Sequence, residues 1–153
     1  MHNRLIQLNA DYAAAIDDDR LEDWPGFFAA DCLYRVTTRA NYRRGLPAGL
    51  IYADSRDMLA DRVLSLRKAN VYEMQSYRHL VGVPRVLRAD PQGGLKAATS
   101  FLVMRIDRQG GTDVFATGQY LDEIGADGDG LRFKVRDVVC DSSRIDTLLA
   151  LPL

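Results

Sequence analysis

The sequence predicts an α+β domain in which helices pack on one face of a bent, mainly antiparallel sheet. Three observations predict it. Apolar residues recur at helical spacing near the start of the chain and again at Leu59, Val63 and Leu66. From Tyr77 onward the period changes to two. The segments that follow are separated by short Gly-rich turns, which suit hairpins because parallel neighbours need long crossovers. Helices first and a run of strands afterwards is the α+β order. A sheet bent around helices forms a cone with a mouth.

Taken in order, Leu5, Leu8, Tyr12 and Ile16 form one stripe of a helix of about four turns. The Asp17-Asp18-Asp19 run ends it, since Asp competes for backbone groups and avoids helix interiors. Asp19-Arg20-Leu21-Glu22 has the shape of a capping box and restarts a helix, with Leu21, Trp24 and Phe28 at helical spacing. Pro25 is tolerated in a first turn and allows a break near Trp24. A strand over Cys32–Thr38 follows, placing Cys32, Tyr34 and Val36 on one face and Asp31 at the hinge. Asp17–Tyr34 holds the single tryptophan and the Phe-Phe pair, so it carries the densest apolar load.

Arg39–Gly49 reads as a basic exposed loop. A short strand over Leu50–Ala53 leads to a helix capped by Asp54 or Ser55, with Asn70 as a left-handed terminator. Strands are then expected over Arg78–Leu87, Ala97–Asp107, Asp113–Ile124 and Leu131–Cys140. The Phe101–Met104 run is apolar on both faces, which marks a central strand covered on both sides. In the last strand Leu131, Phe133 and Val135 oppose a solvated Arg132, Lys134 and Arg136 stripe.

The chain has 153 residues and a formal net charge of -1. That length suits one domain spanning 1–153. The charge lacks the basic excess of a nucleic-acid binder. No apolar run is long enough to cross a bilayer, and no signal peptide is visible. A cytoplasmic location is expected, with Cys32 and Cys140 favoured as free buried thiols over a disulfide.

Chemistry-bearing residues are sparse. His2 and His79 are the only histidines, and no Cys or His spacing fits a zinc, iron or Rieske site. The available enzyme reading is a dehydratase or isomerase with His79 as base, oriented by Asp31 or Asp137, and Tyr34 or Tyr120 as proton donor. Against it stands a half-buried His79 bonded at a strand end. A small-ligand module using the cone is a third reading. The expectation for this chain is no catalytic, cofactor-binding or metal residue.

Four blocks carry a resemblance: Asp17–Tyr34, Ala53–Arg62, Tyr77-Arg78-His79, and Asp146–Leu153. In this order they resemble the small (β) subunits of Rieske non-haem iron ring-hydroxylating dioxygenases. They are most similar to the short subunits of enzymes acting on terephthalate, benzoate, anthranilate or salicylate. The resemblance implies the fold shared with nuclear transport factor 2. It implies too that the Rieske 2Fe-2S cluster and mononuclear Fe(II) sit in a partner α subunit. A homotrimer of this chain within an α3β3 hexamer, with structural support as its role, is likewise implied. Arg39–Arg44, the last strand and Leu148–Leu153 are the interface candidates.

Overall fold

A computed structural model describes residues 1–46, 49–69, 76–143 and 151–153. The element order is α1 (His2–Asp17), a 3-10 helix (Leu21–Phe27), β1 (Phe28–Thr38), α2 (Arg39–Arg43), β2 (Ile51–Ala53), α3 (Arg56–Ala69), β3 (Ser76–Val81), β4 (Arg85–Ala89), β5 (Leu95–Ile106), β6 (Thr112–Asp127) and β7 (Gly130–Cys140). The strands form one sheet in the order β2-β1-β7-β6-β5-β3, with β4 beside β5. β1 and β7 run parallel; the other pairings are antiparallel. α1, the 3-10 helix and α3 cover the inner face, giving the α+β cone its NTF2-like form.

α1 follows its stripe, burying Leu5, Leu8, Tyr12 and Ile16. Its end differs from expectation. Asp19 takes φ 59°, a left-handed conformation that Asp tolerates better than most residues. Arg20 N donates to Ala15 O and Asp19 N to Ile16 O, the paired bonds of a Schellman stop. Asp19 therefore closes α1 and forms no capping box; an N-cap needs extended backbone, which is incompatible with this geometry. Its Oδ1 instead accepts from Arg67 Nη1 at 2.9 Å, and Arg67 also grips both carboxylate oxygens of Glu22.

The segment after Arg20 is one 3-10 helix with Pro25 inside it, not two pieces around Trp24. Phe28 begins β1, four residues earlier than the helical spacing predicts. Phe28 and Cys32, four residues apart on the strand, both reach the core, and the β1–β7 pairing is irregular between Phe28 and Leu33. Asp31 is consequently an exposed strand residue rather than a hinge.

The expected basic loop contains α2, capped by the Thr38 hydroxyl, which accepts from Asn41 N. Ser55 takes the cap of α3, accepting from Met58 N. Asn70 lies outside the described residues. The expected strand over Arg78–Leu87 divides at Gly82-Val83-Pro84, and the two halves lie end to end along β5. Pro84 has no N–H to donate to a ladder, so pairing breaks there. β5 is indeed internal, but its outward Leu102 and Met104 are only half-buried.

β7 holds the main departure. Ile124 faces Phe133 while the next pair is Glu123 with Val135, so Lys134 is an inserted residue. Such a bulge reverses the alternation beyond it. Arg136 consequently turns inward with Phe133, and the expected solvated stripe does not exist.

Candidate functional site

The inner face of the cone is the place where chemistry could occur, and the chain fills it. Trp24, Phe28, Tyr12, Tyr34, Tyr120 and Phe133 are all wholly buried. Their rings meet edge-on or stacked at centroid separations such as 5.2 Å for Trp24–Tyr34 and 5.7 Å for Phe28–Tyr34. Phe101 stacks on Tyr120 at 4.5 Å. Aromatic pairs in these orientations add to the burial of their area.

At the centre of this cluster sits Arg136, with no exposed side-chain surface. Its Nε and Nη2 donate to the two carboxylate oxygens of Asp122, each at 2.8 Å, and Nη2 also donates to Asn9 Oδ1 at 2.6 Å. The guanidinium lies 3.8 Å from the Phe133 ring centre, 3.9 Å from Tyr120 and 4.4 Å from Tyr12. Cross-strand register places Asp122 directly opposite Arg136. Burial works against the charge on Arg136, but Asp122 outweighs it and holds the guanidinium protonated. Burial pushes the Asp122 carboxyl up while Arg136 pulls it down. The charge-assisted, bidentate geometry supports an ionised pair.

A second polar group closes the cone. The Leu153 carbonyl oxygen accepts from the hydroxyls of Tyr12 at 2.7 Å and Tyr34 at 3.0 Å. Leu153 N donates back to the Tyr34 oxygen at 3.2 Å. Leu151, Pro152 and Leu153 are buried. Burial raises the phenols of Tyr12, Tyr34 and Tyr120 above the ordinary range, so at neutral pH they are donors and not bases.

The residues proposed for a dehydratase do not assemble. His79 is inside, but its partner is Asp17: Nδ1 to Oδ1 is 2.6 Å, and His79 N donates to Asp17 Oδ2 at 2.8 Å. The His79 side chain has no exposed surface, and its Nε2 has no partner. Asp31 lies exposed on β1. Asp137 points away from the inner face, between the inward Arg136 and Val138, and accepts from Arg35 Nε at 2.9 Å. Tyr34 and Tyr120 are core residues engaged with Leu153 and with the Arg136 cluster.

The expected interface residues are placed as follows. β7 lies inside the sheet, between β1 and β6. Arg39 pairs with Asp141 across the α2 start. Leu151–Leu153 dock within their own chain, while 148–150 lie outside the described residues. Cys32 and Cys140 are buried, free thiols; burial lifts Cys140 to about 12. Among the described residues no three His, Cys, Asp or Glu side chains gather as a metal site.

Two features were missed in the pattern reading. Asp17, the partner of His79, reads in sequence only as a helix terminator. Asp122 left a usable signal: alternation puts it on one face with Tyr120 and Ile124, and a carboxylate on an apolar face requires a buried partner.

Comparison with known proteins follows the same direction. A family model described as the ring hydroxylating beta subunit matches residues 12–147. The terephthalate 1,2-dioxygenase terminal oxygenase component subunit beta 1 of a Comamonas species is 47% identical over 150 residues, covering 98% of this chain and 97% of that protein. The anthranilate 1,2-dioxygenase small subunit of Burkholderia cepacia is 38% identical, covering 97% of this chain and 92% of that protein. A crystal structure from Novosphingobium aromaticivorans, described as the β subunit of an aromatic-ring-hydroxylating dioxygenase, superposes with a TM-score of 0.91 at 40% identity, covering 99% of this chain and 96% of that chain. Related over nearly its whole length and in its fold, the chain belongs to the ring-hydroxylating β-subunit family, the small subunits of the terminal oxygenase components of aromatic-ring dioxygenases.

Proposed function

We propose that residues 1–153 act as one structural domain, the non-catalytic small subunit of an oxygenase whose chemistry resides in its partner. The observation that carries this reading is the 47% identity, across 98% of the chain, to a terephthalate dioxygenase β subunit. An aromatic carboxylate such as terephthalate is the substrate class, with the Rieske cluster and mononuclear iron in the α subunit. Three copies of this chain join three α subunits in the cytoplasm. No residue of this chain touches the substrate. The inner cone supports that role, since its aromatic and ionic groups are engaged with one another.

The outward sheet face is the assembly surface in this reading. Leu80 stands opposite Leu102, and Met104 opposite Val114. Leu80 and Val114 are each 57% exposed. A contiguous apolar patch of this kind marks a contact surface, and permanent assemblies bury more apolar area than transient ones.

Co-expression with the adjacent candidate α subunit, followed by size-exclusion chromatography with multi-angle scattering, tests the reading. The expected result is co-elution at the mass of three α and three β chains, with the iron–sulfur absorbance lost when α is omitted. A monodisperse chain that binds no iron–sulfur protein overturns it.

A further inference from the structure

We propose that the inner end of the cone is a binding site for a small branched-aliphatic molecule bearing a carbonyl or carboxyl oxygen, and that Leu151–Leu153 occupies this site in cis. The inference is independent of the subunit role above.

Leu151 and Leu153 lie in the packed core, and the polar contacts at their end are what point to a site. Two phenolic hydroxyls from different elements, Tyr12 on α1 and Tyr34 on β1, converge on one acceptor, the Leu153 carbonyl oxygen. Tyr34 additionally receives the Leu153 N–H, so the residue is held at two adjacent atoms. A third phenol, Tyr120 on β6, is wholly buried beside them, its hydroxyl unpartnered among the described residues. The Tyr12 and Tyr120 ring centres are 6.1 Å apart. Rigid elements therefore present an apolar, aromatic enclosure with a few convergent polar groups, the usual composition of a small-molecule pocket.

The occupant is described by what it satisfies. The isobutyl side chain of Leu153 is fully buried, and its carbonyl takes both phenolic protons. The phenols remain protonated donors, because burial holds them well above neutrality. Removing the segment leaves an apolar space with unpartnered donors at one end. Enclosures of this kind take up small apolar molecules when emptied, and the unanswered hydroxyls favour one that carries an acceptor oxygen. 4-Methylpentanoate reproduces the Leu153 side chain, Cα and carboxyl carbon without the amide nitrogen.

The test uses the chain with Leu151–Leu153 deleted, alongside the full chain. Binding of 4-methylpentanoate is read by calorimetry and by the shift in Tm, with 2-methylpentane as the probe lacking an acceptor. The deletion should bind the acid and gain thermal stability, while the full chain should not. Adding Tyr12→Phe and Tyr34→Phe to the deletion should weaken binding at least tenfold. If the deletion folds only in the presence of the acid, that rescue supports the proposal. A folded deletion that ignores the acid overturns it, as does equal binding to the full chain. A deletion that stays unfolded at saturating acid also overturns it, because the segment is then core and not a displaceable occupant. None of these outcomes bears on co-elution with an α subunit.

Discussion

The two faces of the sheet handle their residues in opposite ways. On the inner face, Arg136 is answered by Asp122 and Asn9, His79 by Asp17, and Tyr12 and Tyr34 by Leu153. On the outer face, Leu80 and Val114 stand largely exposed beside half-buried Leu102 and Met104. The same strands supply both faces, so the contrast comes from what each face meets. An interior filled by the chain's own aromatic rings, its Arg136–Asp122 pair and Leu153 leaves little room for a substrate. An exterior with uncovered apolar residues leaves a surface for another subunit. Such a division fits a scaffold.

The largest expected effect comes from breaking the inner pair. Arg136→Met leaves Asp122 buried and unpaired and should cost about 3–5 kcal/mol of stability. Adding Asp122→Leu should recover most of that loss, because replacing both ions with apolar groups removes the desolvation penalty. Urea denaturation of the two variants decides the matter. A single variant losing under about 1 kcal/mol would show that the ionic cluster is not what holds the cone.

The outer face should respond in the opposite sense. Leu80→Lys and Val114→Lys should each leave the isolated chain within about 0.5 kcal/mol of its parent. Assembly with the α subunit, followed by sedimentation, should weaken at least tenfold. Unchanged assembly in both variants would move the contact surface elsewhere.

How far the fold could be read beforehand depended on the range of the interactions. The Leu5, Leu8, Tyr12 and Ile16 stripe needs only local spacing, and α1 follows it. The turns at Gly93-Gly94 and Gly110-Gly111 were equally legible, since Gly93 and Gly110 adopt positive φ, which glycine accepts without strain. The Lys134 bulge was not, because an inserted residue leaves no mark in a period-two pattern until the partner strand is known. Arg136 was therefore placed in solvent although it is central to the core. His79 reads as half-buried at a strand end, but it is wholly buried within β3; Asp17 lies 62 positions away, and no local rule joins them. The family resemblance reached further because it compares whole blocks at once.

A smaller effect should appear at high pH. Cys140 is lifted from an ordinary value of 9.0 to about 12, and Tyr12, Tyr34 and Tyr120 are raised above 10.0. Between pH 9 and 12 the folded chain holds protons that the unfolded chain has released. Stability is therefore full below the unfolded values and falls as pH rises through that window. Denaturation midpoints from pH 8 to 11 should decline, and the outer-face variants should decline in parallel. Ellman's reagent should label neither thiol at pH 8 until the chain unfolds; rapid labelling of the native chain would contradict the buried placement.

The most direct test of the scaffold reading is turnover in the assembled oxygenase carrying His79→Gln in this subunit. His79, paired with Asp17, is an inner imidazole with the form of a general base. Rates should be normalised to the amount of purified complex, so that lost assembly does not count as lost chemistry. The account predicts a kcat within twofold of the parent complex. A tenfold or greater fall in kcat at intact assembly and unchanged metal content would contradict it.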